Sequence, residues 1–161
     1  MKTKGPAPSG RTPMDAALNY LTARPRTVME TELYLDSKNF GEYEVYETIE
    51  RLKELGYLDD VKFARDFVAS RLRAKPVSRR KLQDQLYGHK LPKDIIDEAL
   101  SEVTDETELD NAYEAARKYF EQLSGLPGRE RAERTGRRLM SRGFDYETAR
   151  KCVLRLENER E

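Results

Sequence analysis

The chain of 161 residues contains no tryptophan, one cysteine, one histidine and no long apolar run. The single cysteine, Cys152, excludes an internal disulfide, and the single histidine has no second histidine or cysteine with which to form a metal site. Apolar runs of only a few residues are too short for a membrane span or a signal-peptide core. We therefore expect a cytoplasmic protein with no metal, no cofactor and no membrane partner, in which Cys152 is a buried thiol.

The sequence also lacks the motifs of common enzymes. There is no glycine-rich phosphate loop and no serine in a nucleophile elbow. Asp59 and Asp60 are better explained by helix capping than by metal binding, and His89 falls in a helix-ending turn, where we expect it to be exposed to solvent. Because acid-base catalysis requires groups within hydrogen-bond reach of each other, we expect no catalytic residues and no enzyme activity.

Positive and negative charges are equal in number but are sorted into blocks along the chain. Residues 30–60 hold ten acids and three bases, whereas residues 61–93 hold ten bases and two acids. Residues 94–114 carry nine acids and no base, and residues 115–142 carry eight bases and three acids. Such blocks are either solvated helix faces or surfaces for a charged partner, and both interpretations stay open.

Six positions recur three times along the chain, at offsets of 51 and then 53 residues. Their internal spacing is 4, 5, 5, 4 and 3 residues in every copy, and each position after the first is apolar in all three copies. Such a regular pattern indicates one helical module written three times. The positions are Thr31, Leu35, Phe40, Val45, Ile49 and Leu52, then Leu82, Leu86, Leu91, Ile96, Leu100 and Val103, then Thr135, Leu139, Phe144, Ala149, Val153 and Leu156.

Nothing alternates with the period of two that strands require, so the sequence predicts an all-α fold. We expect three tandem three-helix repeats, each a helix-turn-helix-like module, in an elongated and curved body. The predicted boundaries are a disordered basic tail at residues 1–12, followed by repeats at residues 13–58, 59–103 and 104–161.

Local signals divide these repeats into nine helices. Thr27, with Glu30 three residues later, forms a capping-box pattern, and Ser78 occupies the same place in the second copy. Gly56 and Gly143 are expected to end the third and eighth helices, because glycine readily adopts the left-handed conformation that closes a helix. Aromatic residues at helical core spacing are expected to pack rather than to stack on nucleic-acid bases. They are Tyr20, Phe40, Phe63, Phe67 and Phe144.

Two groups of bases are the candidates for partner binding. One group opens the fifth helix, and the other lies in its counterpart in the third copy, whereas the first copy has no such group. Arginine neutralises phosphates and pairs with carboxylates, so these positions suit a phosphate-rich or acidic partner. The candidates are Arg79, Arg80 and Lys81, then Arg137, Arg138 and Arg142, with Arg71 in addition.

Between the first and second copies the chain reads Leu55-Gly56-Tyr57-Leu58-Asp59-Asp60, then Phe63-Ala64, Phe67-Val68 and Arg71. The third copy contains Arg142-Gly143-Phe144, followed by Tyr146-Glu147. Together these motifs resemble those of the RecX family, the regulators of RecA recombinase. The signature positions are Gly56, Tyr57, Leu58, Asp59, Asp60, Phe63, Ala64, Gly143 and Phe144. Three positions depart from the family pattern: Gln85 stands where an acid is usual, Lys90 where the family commonly has glycine, and Thr31 where it prefers leucine.

The resemblance implies three tandem three-helix repeats and a regulatory role. RecX-like proteins bind the RecA filament on single-stranded DNA, lie along its groove, and restrain ATP hydrolysis and strand exchange. We therefore expect the RecA filament as partner, with single-stranded DNA as a second candidate, and a monomer, since no heptad seam is present. A free-standing DNA-binding protein and a plain helical scaffold are the alternatives. Zero net charge and the missing bases of the first repeat count against the former.

Overall fold

The structure, a computed structural model, describes residues 10–160, and the regular secondary structure there is entirely helical. This confirms the predicted all-α class. Most of the tail predicted at residues 1–12 lies outside the described residues. The helices of the described part are α1 Pro13–Ala23, α2 Val28–Ser37, α3 Glu42–Glu54, α4 Asp60–Ala74, α5 Arg79–Gly88, α6 Lys93–Leu100, α7 Asp105–Gln122, α8 Gly128–Ser141 and α9 Tyr146–Asn158. None of them is long and apolar enough to cross a membrane.

Every position of the threefold register is buried. The first position of each copy, Thr31, Leu82 or Thr135, is 0% exposed, and no position exceeds the 9% of Val153. Removing one such apolar side chain from water contributes about 1.5–3 kcal/mol. The repeat seen in the sequence is therefore a repeat of core positions.

Side-chain caps fix where several helices begin. Thr27 and Glu30 form the predicted reciprocal capping box at the start of α2. Asp145 accepts a hydrogen bond from the backbone N–H of Thr148 at the start of α9, and this bond lowers the pKa of the Asp145 carboxyl. Asp59 accepts from the backbone N–H of a residue in the first turn of α4, so its predicted role as a cap is confirmed. Each such cap contributes about 1 kcal/mol.

The same left-handed turn occurs in all three repeats. Asn39, Lys90 and Gly143 have positive φ angles of 67°, 61° and 92°, and each directly precedes the third register position of its copy. Glycine adopts this conformation freely, asparagine tolerates it, and lysine is strained by it. The turn geometry is thus kept in the second repeat even though a lysine replaces glycine there.

The described residues form two compact units. The first contains the residues up to Arg65 together with Leu86–Ile96, and the second contains Asp66–Gln85 together with the residues from Asp97 onward. Helices α1 to α3 pack around one core in the first unit, and α7 to α9 pack around another in the second. Parts of α4, α5 and α6 belong to each unit, and the repeat boundaries stay predictions.

Of the aromatic residues expected in the core, two are fully buried and three are half-buried. Phe40 and Phe144 are 1% and 3% exposed. Tyr20 stacks face to face on Tyr34, with 4.0 Å between the ring centroids. Phe63 and Phe67 are also half-buried. These rings pack within the protein, as expected.

In the first unit, the start of α2 is bonded to residues of the second repeat. The Thr27 hydroxyl donates a 2.7 Å hydrogen bond to the carbonyl oxygen of His89, and the Val28 N–H donates a 2.9 Å bond to the Asp60 carboxylate. Burial raises the pKa of the Asp60 carboxyl, although the bond from Val28 opposes this shift. We call this set of contacts the first joint.

The expectation that His89 is exposed to solvent is wrong. Its side chain is 25% exposed, and Nδ1 lies 3.3 Å from the Glu30 carboxylate. The ring meets Phe63 edge-on, with 5.2 Å between the ring centroids. The turn that carries His89 is covered because the first joint holds its carbonyl group against α2.

In the second unit, the start of α5 repeats this arrangement. The backbone N–H of Ser78 donates a 3.1 Å bond to the carbonyl oxygen of Arg142, and the N–H of Arg79 donates a 3.0 Å bond to the Glu108 carboxylate. Ser78 and Arg79 stand 51 residues after Thr27 and Val28, and Arg142 stands 53 residues after His89. We call these contacts the second joint. Both joints cap a helix start with a carboxylate and a carbonyl from the following repeat.

The third repeat differs at the corresponding position, which is occupied by Arg131. Helix α8 begins one turn earlier in the register than α2 and α5 do. The Arg131 side chain is buried, with its guanidinium 3.6 Å from the Phe120 ring centroid and its Nε donating to the Phe120 carbonyl. Burial lowers the pKa of Arg131, and the nearby charge of Arg160 lowers it further. A buried cation here replaces the hydroxyl of the other two repeats.

Replacing Lys90 with glycine should stabilise the protein. Because Lys90 holds a left-handed conformation that costs a non-glycine residue roughly 1 kcal/mol, the free energy of unfolding should rise by about that amount. Asn39→Gly is the matched control, and its effect should be smaller since asparagine tolerates this conformation. Urea titration followed by circular dichroism measures both, and a loss of stability in Lys90→Gly would contradict the strain.

Replacing Gly143 with alanine should cost more than replacing Gly56 with alanine. Both glycines have positive φ angles, 92° and 79°, so both variants lose about 1–2 kcal/mol through the backbone. A Cβ at Gly56 would meet open space, whereas a Cβ at Gly143 would collide with Ser78 Oγ and lie 2.9 Å from the Lys81 Cβ. Equal losses in the same urea titration would show that the second joint is not closely packed.

The Cys152 thiol should be unreactive in the folded protein. It is 2% exposed, and burial raises its pKa from 9.0 to about 11. At pH 8 we therefore expect slow reaction with a disulfide reagent such as dithionitrobenzoate, and complete reaction after unfolding in urea. Ser70→Cys on a Cys152→Ala background provides an exposed thiol as the control. Rapid labelling of native wild-type protein would contradict the burial.

Candidate functional site

The two groups of candidate bases, which the sequence separates by one repeat, meet at the second joint. Helix α5 begins at Arg79 and α8 ends at Ser141. The bond from Ser78 to the carbonyl of Arg142 joins these two helix ends, and the Lys81 ammonium donates a 3.0 Å bond to the carbonyl of Ser141. The candidate functional site is therefore the surface of the second joint.

The charge of Arg79 is used within the protein. Its guanidinium donates to the carbonyl of Val103 at 2.7 Å and to Asp105 at 2.8 Å, and it lies 3.8 Å from Glu108. The side chain is 39% exposed, and two carboxylates oppose its charge. Arg79 thus holds the start of α5 against the start of α7.

Lys81 occupies the end of another helix. Its ammonium bonds the Ser141 carbonyl in the last turn of α8, where cations are favoured by the helix dipole. An ammonium has three donors, and this contact uses one of them. Lys81 therefore stabilises the joint and can still donate to a partner.

Tyr119 of α7 orients the two arginines at the end of α8. Its hydroxyl accepts a 2.9 Å bond from Arg142 Nε, and its ring centroid lies 5.5 Å from the Arg138 guanidinium carbon. Arg138 also donates to the side chain of Gln122 at 3.1 Å. No sequence motif marks Tyr119 as part of this site. The tyrosine hydroxyl was the available signal, because a half-buried hydroxyl usually has a partner.

Arg80 and Arg137 are exposed, and neither side chain has a hydrogen bond, an ion pair or a ring contact within residues 10–160, whereas the exposed Arg71 and Arg138 each lie against an aromatic ring. Arg80 lies on a groove of about 910 Å³ in the second unit. The groove is not purely basic, since Asp84 and Asp97 line it together with the apolar side chain of Met140. Its chemistry suits a partner surface that carries both acidic and basic groups beside apolar ones.

Arg71 lies away from this groove. It is exposed near the end of α4, and its guanidinium carbon is 5.0 Å from the centroid of the Phe67 ring. The structure therefore brings six of the seven candidate bases to α5 and to the end of α8, and leaves Arg71 separate.

The signature positions lie at helix ends, in the core and at the two joints. Gly56 ends α3 in the left-handed conformation, Leu58 and Ala64 are buried, and Asp60 accepts the Val28 N–H of the first joint. Phe63 packs against His89, while Tyr57 is exposed. Gly143 and Phe144 hold the corresponding turn of the second joint.

Across residues 10–160, no group of three or more histidine, cysteine, aspartate or glutamate side chains is placed to hold a metal ion. The interactions at this site are hydrogen bonds, ion pairs and contacts between buried side chains. The arrangement supports binding through exposed bases on a braced helix end.

Comparisons with known proteins agree on one family. Models of the first, second and third three-helix domains of RecX match residues 14–52, 59–100 and 106–153. The regulatory protein RecX of Chlorobaculum tepidum is 37% identical over 140 residues, which cover 87% of this chain and 85% of the relative. That of Prosthecochloris aestuarii is 34% identical over 145 residues, covering 89% and 92%. A longer RecX of Lactobacillus gasseri is 30% identical, and the match spans 54% of it.

The fold is also known from solved structures. A crystal structure of RecX from Lactobacillus salivarius superposes with a TM-score of 0.76 at 24% identity, covering 90% of this chain and 94% of the other. At that identity the likeness concerns the fold alone. The ordered match of all three domain models and the two relatives covered over most of their length establish that the chain belongs to the RecX family of regulatory proteins.

Proposed function

We propose that this protein binds RecA filaments assembled on single-stranded DNA and inhibits their ATP hydrolysis and strand exchange. The observation that carries the proposal is the match of all three RecX domains, in order, along the chain. The protein acts in this proposal as a cytoplasmic monomer, and it performs no chemistry of its own.

The second joint is the proposed contact surface. Arg80 and Arg137 are exposed and form no ion pair within residues 10–160, so they are available to phosphates or to carboxylates of a partner. Arg79, Lys81, Arg138 and Arg142 are held by contacts within the second unit. These four side chains stabilise the surface and set its shape. Arg71 is a further candidate base that lies outside the groove.

The filament should be favoured over naked DNA as the target. Asp84 lines the same groove as Arg80, and its carboxylate would repel a continuous phosphate backbone. A protein-coated strand offers basic and acidic side chains beside phosphates, which is the mixed chemistry of the groove. A free-standing DNA-binding protein is the alternative.

Purified protein added to RecA on single-stranded DNA should slow ATP hydrolysis and strand exchange. The two rates are followed with a coupled ATPase assay and a fluorescent strand-exchange assay, at up to stoichiometric excess over RecA. Unchanged rates would overturn the proposed inhibition. Binding to naked DNA that falls steeply with salt and does not depend on RecA would favour the alternative.

The double variant Arg80→Glu and Arg137→Glu should weaken filament binding about tenfold, which corresponds to roughly 1.4 kcal/mol. The reason is that reversal of exposed charges repels phosphates and acids without removing any internal contact. The matched control is Arg11→Glu with Arg24→Glu, two exposed arginines of the first unit with the same change in net charge. Binding is measured by fluorescence anisotropy of filaments on labelled oligonucleotides.

Equal affinity of the two double variants for the filament would show that the bases of the second joint are only solvated and do not contact the partner. Arg79 is unsuitable for this test, because reversing its charge would break its contacts to Val103, Asp105 and Glu108. Reversal of Arg79, Arg80 and Lys81 together would therefore mix loss of binding with damage to the joint.

A further inference from the structure

The outward side of α3 exposes two tyrosines one turn apart. Tyr43 is 70% exposed and Tyr46 is 63% exposed. Residues three apart on a helix are neighbours on its surface, so the two rings lie on one face. Glu42, Glu44 and Glu47 are exposed around them. We call these five residues the acidic-aromatic face.

Within the described residues, no base forms an ion pair with the carboxylates of this face. The bases of α3 lie further along the helix, where Lys53 pairs with Glu50 and Arg51 pairs with Glu54, each at 3.1 Å. In the described part of the chain, no ion pair involves a glutamate of the acidic-aromatic face. The helix dipole accounts for Glu42 and Glu44 in the first turn, but it does not account for the tyrosines or for Glu47.

Glu47 also organises the face. It hydrogen-bonds the Tyr43 hydroxyl, and this bond raises the pKa of Tyr43. The contact places a carboxylate beside the Tyr43 hydroxyl. Two rings and three carboxylates form a surface that can surround a cation.

The repeat shows that the fold does not require tyrosine at these positions. Tyr43 and Tyr46 correspond to Asp94 and Asp97 in the second repeat, at an offset of 51 residues. In the third repeat the equivalent positions are Glu147 and Arg150. Since the buried register is the same in all three repeats, the tyrosines serve the surface of the first repeat only.

We propose that the acidic-aromatic face docks a lysine- and arginine-rich surface of a partner protein. The inference rests on the proposed function, in which that surface belongs to the protein part of the RecA filament. Exposed tyrosines are frequent binding hot spots, and their rings attract cations. The carboxylates repel phosphates, so this face and the basic second joint take different chemical parts of one target.

The test compares two targets with one variant. Tyr43→Ala with Tyr46→Ala should weaken binding to RecA filaments on single-stranded DNA tenfold or more. The same variant should bind a naked labelled oligothymidine as the wild type does. The matched control, Glu147→Ala with Arg150→Ala, changes the equivalent exposed positions of α9 and should leave filament binding unchanged. Circular dichroism and urea titration establish that both variants are folded.

A second pair of variants separates charge from ring. Tyr43→Phe with Tyr46→Phe keeps the rings and should retain most of the filament affinity. Glu44→Lys with Glu47→Lys should lose affinity tenfold or more, because it turns attraction to a basic surface into repulsion. Wild-type affinity of this charge variant would overturn the proposal.

The remaining outcomes are distinct from one another. If the wild type fails to bind filaments at all, the proposed function itself falls. If the wild type binds and the alanine variant binds equally well, the function stands and the acidic-aromatic face is only solvated. A parallel loss of binding to naked DNA would make the face a nucleic-acid contact. A self-association of the wild type that the alanine variant abolishes, seen by light scattering, would make a second copy the occupant. Each of these results overturns the proposal.

Discussion

Both joints depend on one hydrogen bond. Its donor is the residue that precedes a helix, and its acceptor is a carbonyl directly before the left-handed turn of the next repeat. Thr27 makes it through its hydroxyl to His89, and Ser78 makes it through its backbone N–H to Arg142. In both joints the accepting carbonyl belongs to the residue directly before the one with the positive φ angle, Lys90 or Gly143. A right-handed turn would move the carbonyl away from the helix start, and an unsatisfied buried donor costs about 1–3 kcal/mol.

The joint also determines which charges are free to act. In the second joint Arg79 lies beside Asp105 and Glu108, so these carboxylates neutralise its charge within the protein. Its neighbour Arg80 lines the groove instead. Sequence adjacency therefore says little about function here. Two successive arginines differ because one faces the next long helix and the other does not. The same logic makes Tyr119 relevant, since it fixes the arginines that end α8.

The core could be predicted from the sequence, because burial along a helix follows a local period. All eighteen register positions, from Thr31 to Leu156, are buried. Capping was equally local, as Thr27 and Asp59 show. The joints could not be predicted, because Thr27 and His89 are 62 residues apart and no local sequence pattern indicates that they are in contact. This is why the exposure expected for His89 was wrong and why the internal neutralisation of Arg79 was not foreseen.

Core, joint and surface occupy different positions of the repeat, and this separation lets the surfaces diverge. The outward positions of α3, α6 and α9 carry tyrosines, aspartates, or a glutamate and an arginine, without any change in the buried register. Arg131 is the exception, because it occupies the position of Thr27 and Ser78 but its side chain is buried in the third repeat. A buried cation is costly unless its charge is compensated. Phe120 contributes a carbonyl acceptor and the face of its ring, but Nη1 of Arg131 has no hydrogen-bond partner within the described residues, so the compensation is partial. At this position the third repeat relies on the pair Arg131 and Phe120, whereas the first and second repeats rely on contacts with the repeat that follows.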